Sequence, residues 1–159
     1  MKFLEKDLEE IIFTEQREAL LKCGLKLPKR LRRQIRIGNY GRADIIGFES
    51  SNVIGINRLE ITVYELKQDK ISVSAFLQAV GYAKGIQSYL NKKGSDFYTR
   101  SRINIVLIGK EVDNHSSFVY LPSLLDGHYF SLRLYTYELG INGLIFKEHN
   151  NYSLVNEGF

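Results

Sequence analysis

Apolar positions at Leu4, Leu8, Ile11, Ile12, Leu20 and Leu21 recur near the helical period and predict a helix over residues 4–22, stopped at Gly24. Pro28 marks the loop that follows. The period then shortens to two. Over 31–37, Leu31, Ile35 and Ile37 alternate with Arg32, Gln34 and Arg36, as in a strand. Gly38-Asn39-Tyr40-Gly41 reads as a turn, 42–48 as a second strand, and the polar, Gly-containing stretch 49–58 as a loop. Residues 59–67 (LEITVYELK) form a third strand, rich in β-branched and aromatic residues. A second helix is expected over 71–90, capped by Ser72 or Ser74, with Phe76, Val80, Ala83 and Ile86 as its apolar stripe. Gly81 and Gly85 interrupt it four residues apart, as close packing against a sheet would require. After a polar loop, 103–109 (INIVLIG) is nearly all apolar, the pattern of a strand covered on both faces. Strand, helix, buried strand is a right-handed crossover, so 59–67 and 103–109 should be parallel neighbours. From Phe118 the chain holds short strand-like runs, clearest at 129–137 and 141–147. The predicted class is α/β with a central mixed sheet flanked by helices and a short strand-rich C-terminal extension.

Length and composition narrow the classes further. At 159 residues the expectation is one domain, 1–159, with a core at about 3–110 and an extension at about 111–159. Ten Tyr and nine Phe supply core material that a disordered chain lacks. A single cysteine, Cys23, excludes a disulfide framework and points to a reducing compartment, and with three scattered His it argues against a zinc-finger-type site. His115, His128 and His149 read as surface or turn residues. The N-terminal residues are too charged for a signal peptide, and no apolar run is long enough to span a bilayer, so a cytoplasmic protein without a membrane association is expected.

Charge changes the picture more than its net value of +4 suggests. Seven basic residues lie between Lys22 and Arg36, and no acidic residue interrupts from Ala19 to Ala43. The remainder of the chain is therefore net negative. A second basic zone holds Lys84, Lys92, Lys93, Arg100 and Arg102. Concentrated positive charge suits a polyanion, although a solvated basic face has the same composition.

The third strand carries an anomaly. Leu59, Ile61, Val63, Glu65 and Lys67 share one side by the period of two. The apolar members place that side against a helix layer, so Glu65 and Lys67 emerge at the edge of a buried face, at the strand's carboxyl end, where ligand sites of α/β sheets lie. A frayed end carrying two solvated charges is the plain alternative. Pairing 42–48 with 59–67 as an antiparallel hairpin sets Asp44 beside Glu65. Two adjacent carboxylates in apolar surroundings repel unless something positive lies between them. A divalent cation would resolve this, as would an ion pair of Asp44 with Arg42 or Lys67.

These residues resemble the PD-(D/E)XK nuclease superfamily. The resemblance rests on Gly41-Arg42-Ala43-Asp44-Ile45-Ile46-Gly47, on Tyr64-Glu65-Leu66-Lys67, and on the helix bearing Gln78 and Tyr82. The helix-strand-strand-strand-helix-strand order is similar to the restriction-endonuclease-like αβββαβ core. The chain looks most like the nuclease domain of NucS-type DNA endonucleases: Glu5-Lys6-Asp7-Leu8-Glu9 is similar to their first helix, Arg33-Gln34 to a pair before their aspartate strand, and Tyr137-Glu138-Leu139 with Leu144-Ile145-Phe146 to their closing hairpin. Those enzymes also carry an N-terminal dimerisation and DNA-binding domain for which this sequence has no counterpart, so their substrate choice is not carried over.

The resemblance implies a Mg²⁺- or Mn²⁺-dependent endonuclease hydrolysing phosphodiester bonds in DNA. Asp44, Glu65 and the backbone carbonyl of Leu66 would hold the metal, and Lys67 would orient or deprotonate the attacking water. Glu5, or Glu9 one turn on, would complete the site through water, and Gln78 and Tyr82 would border it. Arg33, Gln34 and Arg36 would bind phosphates, and Arg42 would do so or pair with a carboxylate; the orientation of Arg32 depends on register. A homodimer or a partner protein would supply specificity. The alternative is a catalytically inactive nucleic-acid-binding module on the same fold.

Overall fold

The computed structural model describes residues 3–94, 101–113 and 130–149. In chain order the elements are α1 (Glu5–Thr14), α2 (Arg17–Lys22), β1 (Arg30–Arg36), β2 (Arg42–Val53), β3 (Ile56–Leu66), β4 (Lys70–Ile71), α3 (Val73–Lys93), β5 (Ser101–Gly109), β6 (Glu111–Val112), β7 (Phe130–Gly140) and β8 (Gly143–His149). Six strands form one mixed sheet in the order β1-β2-β3-β5-β7-β8, and β4 pairs with β6 apart from it. The first three strands are antiparallel, β3, β5 and β7 are parallel, and β8 returns antiparallel on β7. The parallel pairing of β3 with β5 is the crossover read from the sequence. The late strands are not an appendage, because β7 and β8 extend this same sheet.

Each face of the sheet has its own core. On one, α3 contributes Phe76, Ala79, Tyr82 and Ala83 against Ile61 and Val63 of β3 and Ile105 and Leu107 of β5. On the other, Leu8, Ile12 and Leu20 of α1 and α2 pack on Ile45, Tyr64, Leu66 and Ile108. Val63 on one face and Tyr64 and Leu66 on the other are therefore all buried, as a strand covered on both sides demands. Ser72 is the residue that caps α3, its Oγ accepting from the Ala75 N–H at 3.5 Å. Gly85 is in close contact with Ile37 and Tyr40, but Gly81 faces open space, so only one of the two helix glycines answers to packing.

The structure departs from the sequence pattern in three places. The helix expected over 4–22 breaks at Glu15 and Gln16, both extended. No apolar residue falls between Phe13 and Ala19 to hold a continuous face, and the Thr14 hydroxyl bonds back to the Glu10 carbonyl at 2.7 Å, which favours termination. At the end of α2, Gly24 has φ +100°, and a Cβ there would collide with the Phe146 carbonyl, so this stop is fixed by both conformation and space. The loop expected over 49–58 is instead the tip of a long hairpin. β2 and β3 run on to a two-residue turn, Ile54-Gly55, both at positive φ, with the Asn52 side chain accepting from the Gly55 N–H at 3.0 Å. Polar residues there alternate on a solvated strand end. Third, β1 does not keep one face. Leu31 packs on the α1–α2 side, whereas Ile35 and Ile37 pack on the α3 side. The switch falls at Gln34, whose φ is +54°.

That switch is matched on β2. Ala43 and Ile46 belong to the α3 core and Ile45 to the opposite core, so alternation breaks at Asp44. Both distortions lie at one level of the sheet. The β1–β2 register pairs Arg33 with Ile45 and Ile35 with Ala43, which sets Gln34 opposite Asp44. No helix among the described residues is long and apolar enough to cross a membrane.

Candidate functional site

The level of the sheet where β1 and β2 are distorted is also where the acidic side chains gather. The β2–β3 ladder ends at the pair Ile45 and Tyr64, and Asp44 and Glu65 are the next residue on each strand beyond it, at the carboxyl end of β3. Leu66 donates its backbone N–H to Asp44 Oδ2 at 2.9 Å, tying the aspartate to the segment that carries Glu65 and Lys67. Lys67 Nζ lies 3.0 Å from Glu65 Oε1. Glu65 is only 2% exposed. Its second oxygen, Oε2, is buried and meets no hydrogen-bond donor among the described residues.

The segment is held from several sides. Lys67 N–H donates to the Ile108 carbonyl of β5 at 2.8 Å. Gln68 N–H donates to Glu5 Oε1 at 3.3 Å, and the Gln68 carbonyl accepts from the Tyr137 hydroxyl at 2.8 Å. Glu5 thus reaches the end of β3 from the first turn of α1, where the helix dipole favours a carboxylate. The sequence left Glu5 and Glu9 open. Glu5 acts electrostatically on Asp44, Glu65 and Lys67, while Glu9 acts on Asp44 and accepts from Gln34 Nε2 at 2.8 Å. Glu5 is therefore the helix carboxylate that faces the whole group. The clamp on Gln68 uses its main-chain atoms, so its residue type could not have signalled it.

Burial and like charge govern protonation here. Desolvation, then the neighbouring Asp44 charge, push Glu65 up to about 7, with the Lys67 hydrogen bond and charge only partly opposing and Glu5 adding to the rise. Asp44 is raised by burial, against the lowering effect of the Leu66 N–H and Lys67. For Lys67 burial works downward, but the Glu65 bond and charge, with Glu5 and Asp44 behind them, hold it above the ordinary lysine value. Lys67 pairs with Glu65, and the Asp44 and Glu5 charges act on it from farther off, so negative charge outnumbers positive at the end of β3.

A divalent cation fits that deficit. A hard ion takes carboxylate and carbonyl oxygens. Asp44 and Glu65 present two carboxylates, and Glu65 Oε2 is an orphaned acceptor that such an ion would satisfy. Among the described residues, no group of three or more His, Cys, Asp and Glu is arranged to hold an ion, so the remaining ligands would be the Leu66 carbonyl and water.

The helix residues border the carboxylates. Gln78 Nε2 donates to the Tyr82 hydroxyl at 2.8 Å, one turn apart on α3. Tyr82 is buried, its pKa raised by burial and by the charges of Glu65 and Asp44 against the Gln78 hydrogen bond and Lys67. Its ring is seated against Gly41, which has φ +117°; a Cβ at Gly41 would stand 3.1 Å from Tyr82 Cε1. Gly41 reads in the sequence as part of a turn and of the motif leading to Asp44, and its contact with α3 is tertiary. Gly41→Ala is expected to cost about 1–3 kcal/mol from backbone strain and to displace the Tyr82 ring. A urea midpoint equal to that of the unsubstituted protein would contradict this.

The basic residues divide. Arg33 forms an ion pair with Glu10 and stacks over the Phe13 ring at 4.7 Å, and Gln34 bonds Glu9, so both are turned to α1. Arg36 and Arg42 are exposed cross-strand partners at the other end of β1, with Arg36 Nε 3.4 Å from the Gly38 carbonyl. Neither is in an ion pair with Asp44, and Asp44 instead answers to Leu66 N–H and Lys67. Arg32 is exposed and paired with Ile46 across the ladder. His149 is not a turn residue: it ends β8, its Nε2 2.7 Å from Thr136 Oγ1. His115, His128 and Arg100 lie outside the described residues.

No protein-family profile, no curated protein and no solved structure matches this chain. Its sheet and its site geometry are the basis for any functional reading.

Proposed function

We propose that this protein is a Mg²⁺- or Mn²⁺-dependent DNA endonuclease built on a restriction-endonuclease-like core. One observation carries the reading: at the carboxyl end of β3 Asp44 is tied to the Leu66 N–H, Lys67 sits on the neighbouring Glu65, and the second Glu65 oxygen is buried without a donor among the described residues. An isolated structural ion pair would leave both that oxygen and the excess of carboxylates unexplained.

Asp44, Glu65 and the Leu66 carbonyl would hold the cation, with Glu5 at the edge of its shell through water. When bound, the ion would polarise the scissile phosphate and lower the pKa of the attacking water. Lys67 lies beside these ligands, where it orients the water, receives its proton and offsets charge on the phosphorane-like transition state. Its partner Glu65 acts on it in turn. With the Glu65 charge taken up by a bound cation, Lys67 would lose part of what holds its pKa up, so that a larger fraction of it would be neutral and able to take a proton. Gln78 and Tyr82 fix the wall on the α3 side, and Arg36 and Arg42 offer positive charge to flanking phosphates. Arg33 and Gln34 would contribute to phosphate binding only by leaving Glu10 and Glu9. In this reading they instead lock α1, and so Glu5, onto β1. A homodimer or a partner protein would supply sequence or structure preference, and the cytoplasm is the expected setting.

The test is cleavage of plasmid and of single-stranded DNA with Mg²⁺, Mn²⁺ or EDTA. Nicking that needs the divalent ion and is lost in Glu65→Ala and Lys67→Ala is the expected result. Cleavage surviving both substitutions would mean a contaminant and overturn the assignment. Salt-sensitive DNA binding without cleavage would assign the inactive binding module instead.

A further inference from the structure

A polar cavity of about 130 Å³ lies on the α1–α2 side of the sheet, the side away from α3. Glu49, Glu60, Thr62, Tyr64, Asn104 and Arg133 line it, and the loop at 26–28 forms its lip. That loop lies down on the sheet because β2 has a glycine beneath it: a Cβ at Gly47 would collide with Pro28. By liquid volume the space is that of about four waters. A molecule of amino-acid size fits it, and a nucleotide, whose sites begin at about 300 Å³, does not.

The floor is a polar row that crosses three strands. Register sets Thr62 beside Asn104 and Asn104 beside Ser131. Ser131 Oγ donates to Asn104 Oδ1 at 2.6 Å, and Asn104 Nδ2 donates to Thr62 Oγ1 at 3.5 Å. The amide has two N–H donors, and this row uses one. Asn104 is the polar exception in the apolar run 103–109, where a strand of a covered parallel sheet ordinarily carries Val, Ile or Leu. One wall is acidic. Glu49 and Glu60 are direct cross-strand partners, both half-buried, an opposition of like charges that weakens a sheet. Arg133 stands on the other wall, on β7, two strands away from β3. Between the walls is Tyr64, only 3% exposed, with the charges of both Arg133 and Glu49 acting on its hydroxyl. Among the described residues that hydroxyl makes no hydrogen bond, and none of Glu49, Glu60 and Arg133 is in an ion pair. Even Arg102, the register partner of Glu60 on β5, does not pair with it.

The cavity thus presents two carboxylates on one side, a guanidinium on the other, and neutral donors and acceptors between them. A bare cation would leave Arg133 without a counter-charge, and an anion would leave Glu49 and Glu60 opposed. A molecule bearing both signs answers all three with charge-assisted hydrogen bonds. We propose that this cavity binds a small zwitterion, its ammonium between Glu49 and Glu60 and its carboxylate at Arg133. The proposal goes beyond the nuclease reading and does not rest on it. Tyr64 and Glu65 are successive residues of β3, so their side chains face opposite sides of the sheet.

The test is an NMR titration of the full chain, without DNA or divalent ions. Glycine, β-alanine and 4-aminobutyrate carry both charges at increasing separation, whereas n-butylamine and butyrate carry one each. At least one zwitterion is expected to shift the Asn104 side-chain amide signals saturably, and neither single-charge compound should do so at the same concentration. Glu60→Gln and Arg133→Met should each weaken that binding about 10- to 100-fold. Glu60→Gln also relieves the opposed charges, so its melting temperature should equal or exceed that of the unsubstituted protein. Arg133 is exposed, so Arg133→Met spares the core. No saturable shift with any of the three zwitterions, single-charge compounds that bind as well as they do, or variants that bind like the unsubstituted protein would overturn the proposal. A lower melting temperature in Glu60→Gln would make the carboxylate a structural group and count against it too.

Discussion

Lys67→Met is expected to lower the rate of DNA cleavage by roughly 10²–10⁴-fold while the protein stays folded and still binds a divalent ion. The methionine keeps an apolar stem of similar length and removes only the ammonium that lies 3.0 Å from Glu65 Oε1. Asp44 and Glu65 remain. A shift in melting temperature on adding Mn²⁺ should therefore persist, and only turnover should fall. Asp44→Asn gives the complementary result. An amide oxygen can still accept the Leu66 N–H that Asp44 Oδ2 accepts at 2.9 Å, so the end of β3 keeps its position. The lost negative charge removes a cation ligand, and both the Mn²⁺-induced shift and cleavage should disappear. If Lys67→Met cuts at the unsubstituted rate, Lys67 has no part in the chemistry. If Asp44→Asn retains the full Mn²⁺ shift, the ion is held elsewhere.

The second large effect is a loss of stability as pH rises, without any divalent ion. Glu65 has a pKa of about 7 in the folded chain against 4.5 for the free side chain, because burial and the Asp44 charge disfavour its ionised form. Between those values the folded state binds more protons than the unfolded state, so raising the pH favours unfolding. The stabilising contribution is complete below the unfolded value and lost as pH climbs through the folded one. The full difference amounts to about 3 kcal/mol, or roughly 6–12 °C in melting temperature for a chain of this size. Asp44, also raised, acts in the same direction. Lys67 stays charged throughout this window, since its pKa lies above the ordinary lysine value.

Melting curves at about pH 5 and about pH 8 would measure the fall. Glu65→Gln removes the titrating proton and should flatten most of it, leaving the variant more stable than the parent at the higher pH. Mn²⁺ or Mg²⁺ should restore the parent at high pH, by about 2.7 kcal/mol at a hundred times the dissociation constant. A Glu65→Gln variant that loses stability with pH as steeply as the parent would refute the origin assigned to the effect. This readout does not depend on activity, so it tests the cation site even if the DNA substrate is wrongly chosen.

The sequence by itself determined the frame of the site. A period of two put Glu65 and Lys67 on the face of β3 that bears Ile61 and Val63, and that face does pack on α3. Hairpin pairing led to the expectation of Asp44 beside Glu65, because their midpoint falls within the polar stretch, and the turn at Ile54-Gly55 lies at that midpoint. The apolar run at 103–109 announced a strand covered on both sides. These are consequences of local periodicity and chain connectivity, which the order of residues carries directly.

Tertiary structure decided the rest. Alternation failed at Gln34 and Asp44 because both strands change face at the level of the site, a distortion that only cross-strand hydrogen bonding and two separate cores can impose. The Arg33 and Gln34 side chains, read as free for phosphate, are engaged by Glu10 and Glu9 because α1 lies across β1; residues more than twenty positions apart in sequence meet only after folding. The bond that ties Glu5 to the Gln68 main chain is one that no side-chain pattern encodes. The elevated pKa of Glu65 required burial by elements remote in sequence, and that burial is what distinguishes this Glu-x-Lys strand end from a pair of solvated charges.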